Sequence, residues 1–476
     1  MIPRPILLIL WAVTGAAVVV TLMFQYYARI SCHWRWASYS IQDTLTTTAG
    51  PAASTAPTRD GNAQHENSSF LRMVVFADPQ MEGDAKIKRL GKRAIVDLAF
   101  NDAYMHHVYK SMMAPSWTSP LDILPINFFS NSRNRHKKGT RPTHAVVLGD
   151  LFSSQWIDDA EFNVRLGLLI NITGNHDIGY GNDISQSRLI RWEKAFGMSN
   201  FISTVVIPSS SFFSSSATEQ LNQQEQRKLH LLVVNTMLLD GPSSDEDLRT
   251  QTWQFMQDAA KIKTMNPNDK IVLLTHIPFH KEQGICVDAP DIQVHLDNTI
   301  IEQTMLTPNT TNWILNNIKP DFVLNGHDHF GCDVTHVRQK MQLEQEQREQ
   351  QHGDFEWKAF TTSSLPKSKS EQVRVREITQ RSLMAEYGGY SGLFEAKILS
   401  STMDGSENHQ DIEFHYTPCP FYTDIHVWVV IVTDLILVAI WSAVALYTAL
   451  ISPSSPTITT KTSNNTPMDK KSNMKC

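Results

Sequence analysis

Charge is scarce in this 476-residue chain. Asp, Glu, Lys and Arg make up 19% of it, against about 25% in ordinary soluble proteins. Cysteine is scarcer still, five in all, which excludes a disulfide-framework fold but leaves room for one or two bridges. With 42 Lys and Arg against 48 Asp and Glu, the net charge is −6. No strongly basic block interrupts the body of the chain, which argues against nucleic acid as the main partner. Twenty-one Gly and 22 Pro exclude a collagen-like or wholly disordered chain. Apolar residues are plentiful, at 41%, enough for one large domain or two ordinary ones.

The missing charge is concentrated near the two ends. Residues 5–28 (PILLILWAVTGAAVVVTLMFQYYA) carry none. At ~1.5 Å per residue they can cross a hydrocarbon layer of ~30 Å. A cleaved signal peptide competes with this reading, but the run is long for one and Tyr26-Tyr27-Ala28 is a poor cleavage site. An uncleaved anchor is expected, with Tyr26, Tyr27, Trp34 and Trp36 as interfacial aromatics. Residues 427–451 form a second apolar run containing one acid, Asp434. That acid is expected either at a polar head-group or facing the first helix. The tail beyond holds Lys461, Lys470, Lys471 and Lys475 against Asp469 alone. The positive-inside rule places such a tail in the cytosol and residues 29–425 in the lumen, although Arg29 and Arg35 pull the other way. The expected organisation is a cytosolic N-terminus and first span (1–28), a Thr/Ala/Ser/Pro-rich linker (29–69), a folded domain (70–420), a second span (426–451) and a cytosolic tail (452–476).

Between the spans, apolar runs of strand length alternate with helical stretches, which indicates an α/β layered domain. Strands are expected at 71–78, 144–150, 167–173, 229–237, 270–278 and 321–329, and strand-like segments resume at Trp357, Val373, Leu393 and Ile412. A helix is expected over 86–109, a surface insertion over 111–141, and a solvated Gln/Glu-rich excursion over 339–351.

Five strands end in residues able to bind a metal: Asp78-Pro79-Gln80, Gly149-Asp150, Gly174-Asn175-His176-Asp177, His276 and Gly326-His327-Asp328-His329. Sites in open α/β sheets lie beyond the carboxyl ends of strands. Taken singly, Gly149-Asp150 reads as a turn and His276 as a satisfied core histidine. All five in this order do not read as turns.

This ordered set resembles the calcineurin-like metallophosphoesterases. The resemblance implies a four-layer sandwich of two mixed β-sheets flanked by helices. It also implies a dinuclear phosphoric ester hydrolase with two divalent ions, Mn²⁺ foremost and Zn²⁺ or Fe as alternatives. By position, Asp150 would bridge both ions. Asp78, Gln80 and His329 would complete one, and Asn175, His276 and His327 the other. A hydroxide between the ions would attack phosphorus, His176 would assist the leaving oxygen, and Asp177 would fix the His176 tautomer. Gln80 stands where many relatives have His, and an amide oxygen is the weaker donor.

A narrower resemblance rests on Phe76–Gln80, Cys286-Val287-Asp288, Val375–Ser382 and Tyr387-Gly388-Gly389 between two apolar spans. These are similar to the fungal branch of the ethanolamine-phosphate phosphodiesterases that remodel glycosylphosphatidylinositol (GPI) anchors. That branch implies GPI-anchored proteins as substrates and an endoplasmic reticulum or early Golgi membrane as the compartment. It also implies support for export of GPI-anchored proteins and contact with early secretory cargo receptors. A broad secretory phosphatase or nucleotide phosphodiesterase, and a non-catalytic sorting scaffold with a structural metal, are the competing readings.

In an oxidising lumen, Cys286, ten residues after His276, and Cys332, three after His329, are expected to pair. Cys32 and Cys419 are expected to clip the membrane-proximal ends, with free thiols as the alternative. Asn67 and Asn309 head glycosylation sequons in expected lumenal loops, Asn171 one on a buried strand, and Asn464 one in the cytosolic tail.

Overall fold

Strands that are apolar on both faces need cover on both sides of their sheet, and this requirement sets the architecture. A computed structural model describes residues 8–20, 69–81, 87–88, 91–113, 142–153, 170–207, 227–340, 355–366, 372–399, 411–421 and 424–451. The chain divides into two compact units, residues 23–427 and residues 1–22 with 428–476.

In the larger unit the strands are β1 (Ser69–Phe76), β2 (His144–Val147), β3 (Ile170–Asn171), β4 (Phe201–Val206), β5 (Lys228–Val233), β6 (Lys270–Leu274), β7 (Ile292–Val294), β8 (Ile300–Gln303), β9 (Phe322–Asn325), β10 (Cys332–Lys340), β11 (Phe355–Thr361), β12 (Arg374–Thr379), β13 (Tyr390–Leu399) and β14 (Asp411–Pro420). They form a five-stranded sheet in the order β14-β13-β1-β2-β3, a seven-stranded sheet in the order β11-β10-β12-β9-β6-β5-β4, and the small hairpin β7-β8. Both large sheets are mixed. β1, β2 and β3 run parallel while β13 pairs antiparallel to β1. β5, β6, β9 and β12 run parallel while β4 and β10 close their flanks antiparallel.

The period of two along each strand divides the core into three slabs. Leu71, Met73 and Val75 of β1 pack with Leu229, Leu231 and Val233 of β5, Val272 and Leu274 of β6, and Phe322 and Leu324 of β9, so the two sheets meet face to face. The alternate residues Leu232, Ile271, Leu273 and Val323 face the helices Gln186–Phe196, Glu246–Met265 and Pro308–Asn317. Val74 and Phe76 face Val108 and Met112 of the helix Arg93–Met113. The result is the four-layer sandwich the sequence led us to expect.

The expected strands at 71–78, 144–150 and 270–278 are shorter in the fold, because their last residues leave the sheet as turns at the site. The expected helix over 86–109 runs on to Met113, into the segment expected as an insertion; residues 114–141 of that segment lie outside the described ones. β10 takes in the first residues of the Gln-rich segment, and β4, β7, β8 and β10 carried no signal strong enough to be expected. Cys286 and Cys332 form a disulfide with Cα atoms 5.7 Å apart. Cys419 is also disulfide-bonded; Cys32, the partner expected for it, lies outside the described residues. Asn309 is exposed on the first turn of the helix Pro308–Asn317, not in a loop. Asn67 and Asn464 are outside the described residues.

In the smaller unit, the helix Asp424–Ile451 contains a stretch, Ile431–Leu450, long and apolar enough to cross a membrane. The other expected span is described only as the shorter apolar helix Leu8–Val20. The Trp11 and Trp441 rings meet edge to face at 5.9 Å, and Trp441 Nε1 donates to Thr14 Oγ1 at 3.0 Å. Asp434 is exposed; the described contacts between the helices run through Trp441 instead.

Candidate metal centre

Five parallel strands from the two sheets end together, and each delivers one of the residue groups singled out from sequence. Asp78 and Gln80 follow β1, Asp150 follows β2, Asn175 and His176 follow β3, His276 follows β6, and His327 and His329 follow β9. The turns are tight. Asp78, Gln80, Asp150 and His327 have φ of 48°, 41°, 50° and 74°, a left-handed conformation that costs a non-glycine residue on the order of 1 kcal/mol. Cross-strand backbone bonds hold it: Asp78 N to Gly149 O at 3.3 Å, Gln80 N to Asp150 O at 3.0 Å and Gly326 N to His276 O at 3.1 Å. Glycine is required at two positions here. A Cβ on Gly149, at φ 96°, would meet His276 Nδ1, and one on Gly174 would meet Asp150 Oδ1.

Asp150 stands between two groups of donors. Its Oδ1 lies 3.2 Å from His276 Nε2, and that nitrogen is 3.0 Å from Asn175 Oδ1. Its Oδ2 accepts from Gln80 Nε2 at 3.5 Å, and Gln80 Nε2 is 3.2 Å from His329 Nε2. Asp78 accepts from the His327 backbone N–H at 3.1 Å to each oxygen. Its Oδ1 is 3.8 Å from His276 Nδ1. The His276 and His327 rings meet edge to face at 4.9 Å. Ligand atoms of Asp150, His276 and His327 all lie within 4.8 Å of one another.

Tautomers follow from the outer partners. His276 Nδ1 is 2.7 Å from the Leu148 carbonyl and carries a proton there; Nε2 faces the oxygens of Asp150 and Asn175, as a donor while the imidazole is protonated and as the atom that would meet an ion once that proton is given up. His327 Nε2 is 2.9 Å from the Gln303 carbonyl and 3.1 Å from the Tyr180 hydroxyl, which leaves Nδ1 as its donor atom. His176 Nδ1 donates to the Ser153 carbonyl at 3.0 Å. Its Nε2 lies 3.8 Å from Asp150 Oδ2, and the side chain is 36% exposed, so a substrate oxygen can reach it.

The electrostatics call for a cation. Burial pushes Asp78 well above the carboxylate range, Asp150 reinforces this and His276 opposes it. Burial would also raise Asp150, but the His276 charge and hydrogen bond hold it below its ordinary value. Burial disfavours the charged His276, yet Asp150 and Asp78 raise it to about 9. Burial lowers His327 to about 3 and His329 to about 4, leaving neutral imidazoles. Two buried carboxylates thus share one protonated histidine where divalent ions would supply more positive charge. The oxygen, amide and imidazole donors fit such ions. Asp78, Gln80, Asp150 and His329 would hold one, and Asp150, Asn175, His276 and His327 the other.

Asp177 does not set the His176 tautomer. Its Oδ1 accepts from Phe152 N at 3.0 Å and its Oδ2 from Gly174 N at 2.9 Å, so it staples the β2 and β3 turns together. Burial, and after it the Asp150 charge, raises Asp177 to about 7 against those two amides. Ser153 takes the role expected of Asp177. Backbone carbonyls such as those of Ser153, Leu148 and Gln303 carry no side-chain identity, which is why sequence reading missed them. Tyr180 was legible only as an aromatic shortly after the Gly-Asn-His-Asp turn.

Behind the site, Glu377 of β12 is wholly buried. One of its oxygens accepts from Phe279 N at 2.8 Å, Lys281 Nζ at 2.9 Å and Asn325 Nδ2 at 2.6 Å. The other lies 2.6 Å from His336 Nε2. Burial would raise Glu377, but Lys281 and His336 bring it down to about 2. Phe279 is three residues past His276 and Asn325 two before His327, so this carboxylate ties the two histidine arms together.

Residues 121–331 match the calcineurin-like phosphoesterase family. That stretch contains Asp150, Asn175, His176, His276, His327 and His329, while Asp78 and Gln80 precede it and Glu377 follows it. Among curated proteins, Protein TED1 of Saccharomyces cerevisiae is 24% identical, over 80% of this chain and 84% of its own length. An uncharacterized protein of Schizosaccharomyces pombe is 28% identical over 57% of this chain and 64% of its own. Metallophosphoesterase 1 of Danio rerio is 21% identical over 41% of this chain and about half of its own length, 54%. A solved structure titled "GAP50 the anchor in the inner membrane complex of Plasmodium" aligns at 10% identity with a TM-score of 0.32, too low to bear on fold or function. Residues 121–331 are thus a calcineurin-like phosphoesterase domain, and with the cluster of Asp150, His276 and His327 this indicates a metal-dependent hydrolase of phosphoric esters.

Proposed function

We propose that this chain is a membrane-held phosphodiesterase of the early secretory pathway. It removes an ethanolamine-phosphate group from the mannose core of GPI anchors, with Mn²⁺ as the working ion, and so supports export of GPI-anchored proteins. The observation that carries the chemistry is the placement of Asp150 between two donor groups, with the open Nε2 of His176 beside it. The substrate rests on the motif resemblance at Phe76–Gln80, Cys286–Asp288, Val375–Ser382 and Tyr387–Gly389. The apolar helix Asp424–Ile451 supports a membrane-held enzyme, and the Cys286–Cys332 disulfide supports an oxidising lumen.

Divalent ions at the site supply Lewis acidity toward the phosphoryl group and its attacking water. Asp78 and Asp150 provide the anionic frame, Asn175 contributes an amide oxygen, and Gln80, whose Nε2 faces Asp150 and His329, would offer its amide oxygen with the amide turned over. His176, steered by the Ser153 carbonyl, presents Nε2 to solvent and gives a proton to the leaving oxygen. A side chain so placed, and not needed to complete either donor group, weighs against a structural metal in a sorting scaffold.

Mass spectrometry of GPI glycans from cells carrying wild-type protein or Asp150→Asn tests the substrate. Retained ethanolamine-phosphate in the variant is expected. Identical glycans in both cell lines would refute the assignment.

A further inference from the structure

His276 and His327 are each steered by a backbone carbonyl, but the two carbonyls are held differently. The Leu148 carbonyl behind His276 directly follows β2, and Leu148 N donates to Phe76 O of β1 at 2.8 Å. A large sheet therefore fixes it. The Gln303 carbonyl behind His327 belongs to the last residue of β8, in a two-stranded hairpin that is part of neither large sheet. This one oxygen accepts from the Tyr180 hydroxyl at 3.1 Å and faces His327 Nε2 at 2.9 Å. Something other than a large sheet has to hold it still.

The Gln303 side chain supplies that hold. Its Nε2 donates to Asp240 Oδ2 at 3.1 Å and to Met305 O at 3.3 Å. Both Gln303 and Asp240 are buried. Asp240 Oδ2 also accepts from Thr307 N at 2.8 Å, and Oδ1 accepts from the Thr307 and Thr310 hydroxyls at 2.6 Å each. All four acceptor positions of the carboxylate are thus occupied. Thr307 caps the helix Pro308–Asn317, whose Ile314 and Leu315 pack in the core. Asp240 therefore fastens the end of the hairpin to the start of a core helix. A hydrogen bond to a carboxylate is about twice as strong as a neutral one, which suits a bond standing in for a sheet ladder. Between the two fastened residues, Leu306 N donates to Pro278 O at 2.8 Å, two residues past His276.

We infer that Asp240 and the Gln303 amide are positioning residues of the metal centre: the carboxylate clamps the Gln303 side chain, the clamp fixes the Gln303 carbonyl, and that carbonyl keeps His327 turned with Nδ1 toward an ion. Neither residue touches the reacting atoms. The clamp serves hydrolysis of any phosphoric ester at this centre, so its test is independent of the GPI glycans.

The test uses the full chain in detergent, with Mn²⁺ binding followed by calorimetry and turnover followed with bis(p-nitrophenyl) phosphate. Gln303→Met keeps the backbone carbonyl and the side-chain length but removes the amide. Its Mn²⁺ affinity is expected to fall about tenfold, the lower end of the range for outer partners of a ligand histidine. Raising Mn²⁺ is expected to recover turnover, which separates a loosened ion from a lost catalytic step. Asp240→Ala is expected to show the same loss. Asp240→Asn is the conservative variant, since its oxygen can serve Gln303 and Thr307 N while its amide faces the two hydroxyls; it is expected to restore affinity to within about twofold. Thr310→Val controls for stability alone. It removes a hydroxyl from Oδ1 and leaves the Gln303 bond to Oδ2, so the thermal midpoint is expected to fall with Mn²⁺ affinity unchanged. Unchanged affinity in Gln303→Met, an equal loss in Thr310→Val, or no recovery in Asp240→Asn would overturn the clamp. Gln303→Leu asks the same question should Gln303→Met fail to fold.

Discussion

At the scale of single residues, the site depends on side chains held from behind. His327 can offer Nδ1 to an ion only while Gln303 O and the Tyr180 hydroxyl occupy its Nε2. Tyr180→Phe keeps the ring and loses the hydroxyl. Such outer partners are worth roughly 10–100-fold in metal affinity, so we expect Mn²⁺ to bind about tenfold more weakly by calorimetry, with the thermal midpoint little changed. Gly149 is the opposite kind of residue, required for what it lacks. Its φ of 96° and the His276 ring against it mean that Gly149→Ala has to move a ligand histidine. We expect a loss of at least about 2 kcal/mol in chemical denaturation, and unchanged stability would show that the turn tolerates a Cβ. These residues were unevenly legible. Asp78, Asp150, Asn175, His276, His327 and His329 stood out because five strand endings recurred in a known order. Tyr180 and Ser153 did not, because their contribution is a position and not a motif.

At the scale of elements, β12 supplies Glu377 to the histidine arms on the loops after β6 and β9. Its partner Lys281 is 1% exposed, so removing the carboxylate leaves a buried, unpaired ammonium. Breaking such a pair costs about 3–5 kcal/mol, whereas replacing both charges is far milder. Glu377→Gln is therefore expected to destabilise the domain strongly, and adding Lys281→Met to recover much of the loss. The pH dependence has a definite sign. Glu377 is held at about 2 in the fold against an ordinary value of 4.5. Its contribution is thus full above 4.5 and is lost as pH falls toward 2. Measured from pH 6 to 2, wild-type stability is expected to drop more steeply than that of the double variant; parallel curves would contradict the ion pair. The Cys286–Cys332 bridge acts at the same scale. It closes a sequence separation of 46 residues, worth about 4 kcal/mol of unfolded-chain entropy, so Cys286→Ser with Cys332→Ser is expected to lower the denaturation midpoint measurably.

At the scale of the whole molecule, a four-layer domain is followed closely by an apolar helix, Asp424–Ile451. We expect the chain to stay in the membrane pellet after alkaline carbonate extraction. With a lumenal domain and cytosolic tail, endoglycosidase treatment should shift the wild type and not Asn309→Gln at that sequon, and Asn464 should stay bare. A glycan on Asn464 would invert the topology.

The low charge content is explained by the apolar ends of the chain, a property of composition that no folding is needed to read. The α/β class and most ligand candidates were likewise determined by sequence alone, since strand period and strand-end identity are local. Tertiary structure decided everything that depends on two distant segments meeting. It put Asp150 between donors from both sheets, moved Asp177 from partner of His176 to staple of two turns, and brought Glu377, more than two hundred residues from Asp150 in the chain, in behind the histidine arms. Local pattern records which face of a strand is apolar, but not which strand ends converge. That is settled by the sheet order, which only packing of both apolar faces selects.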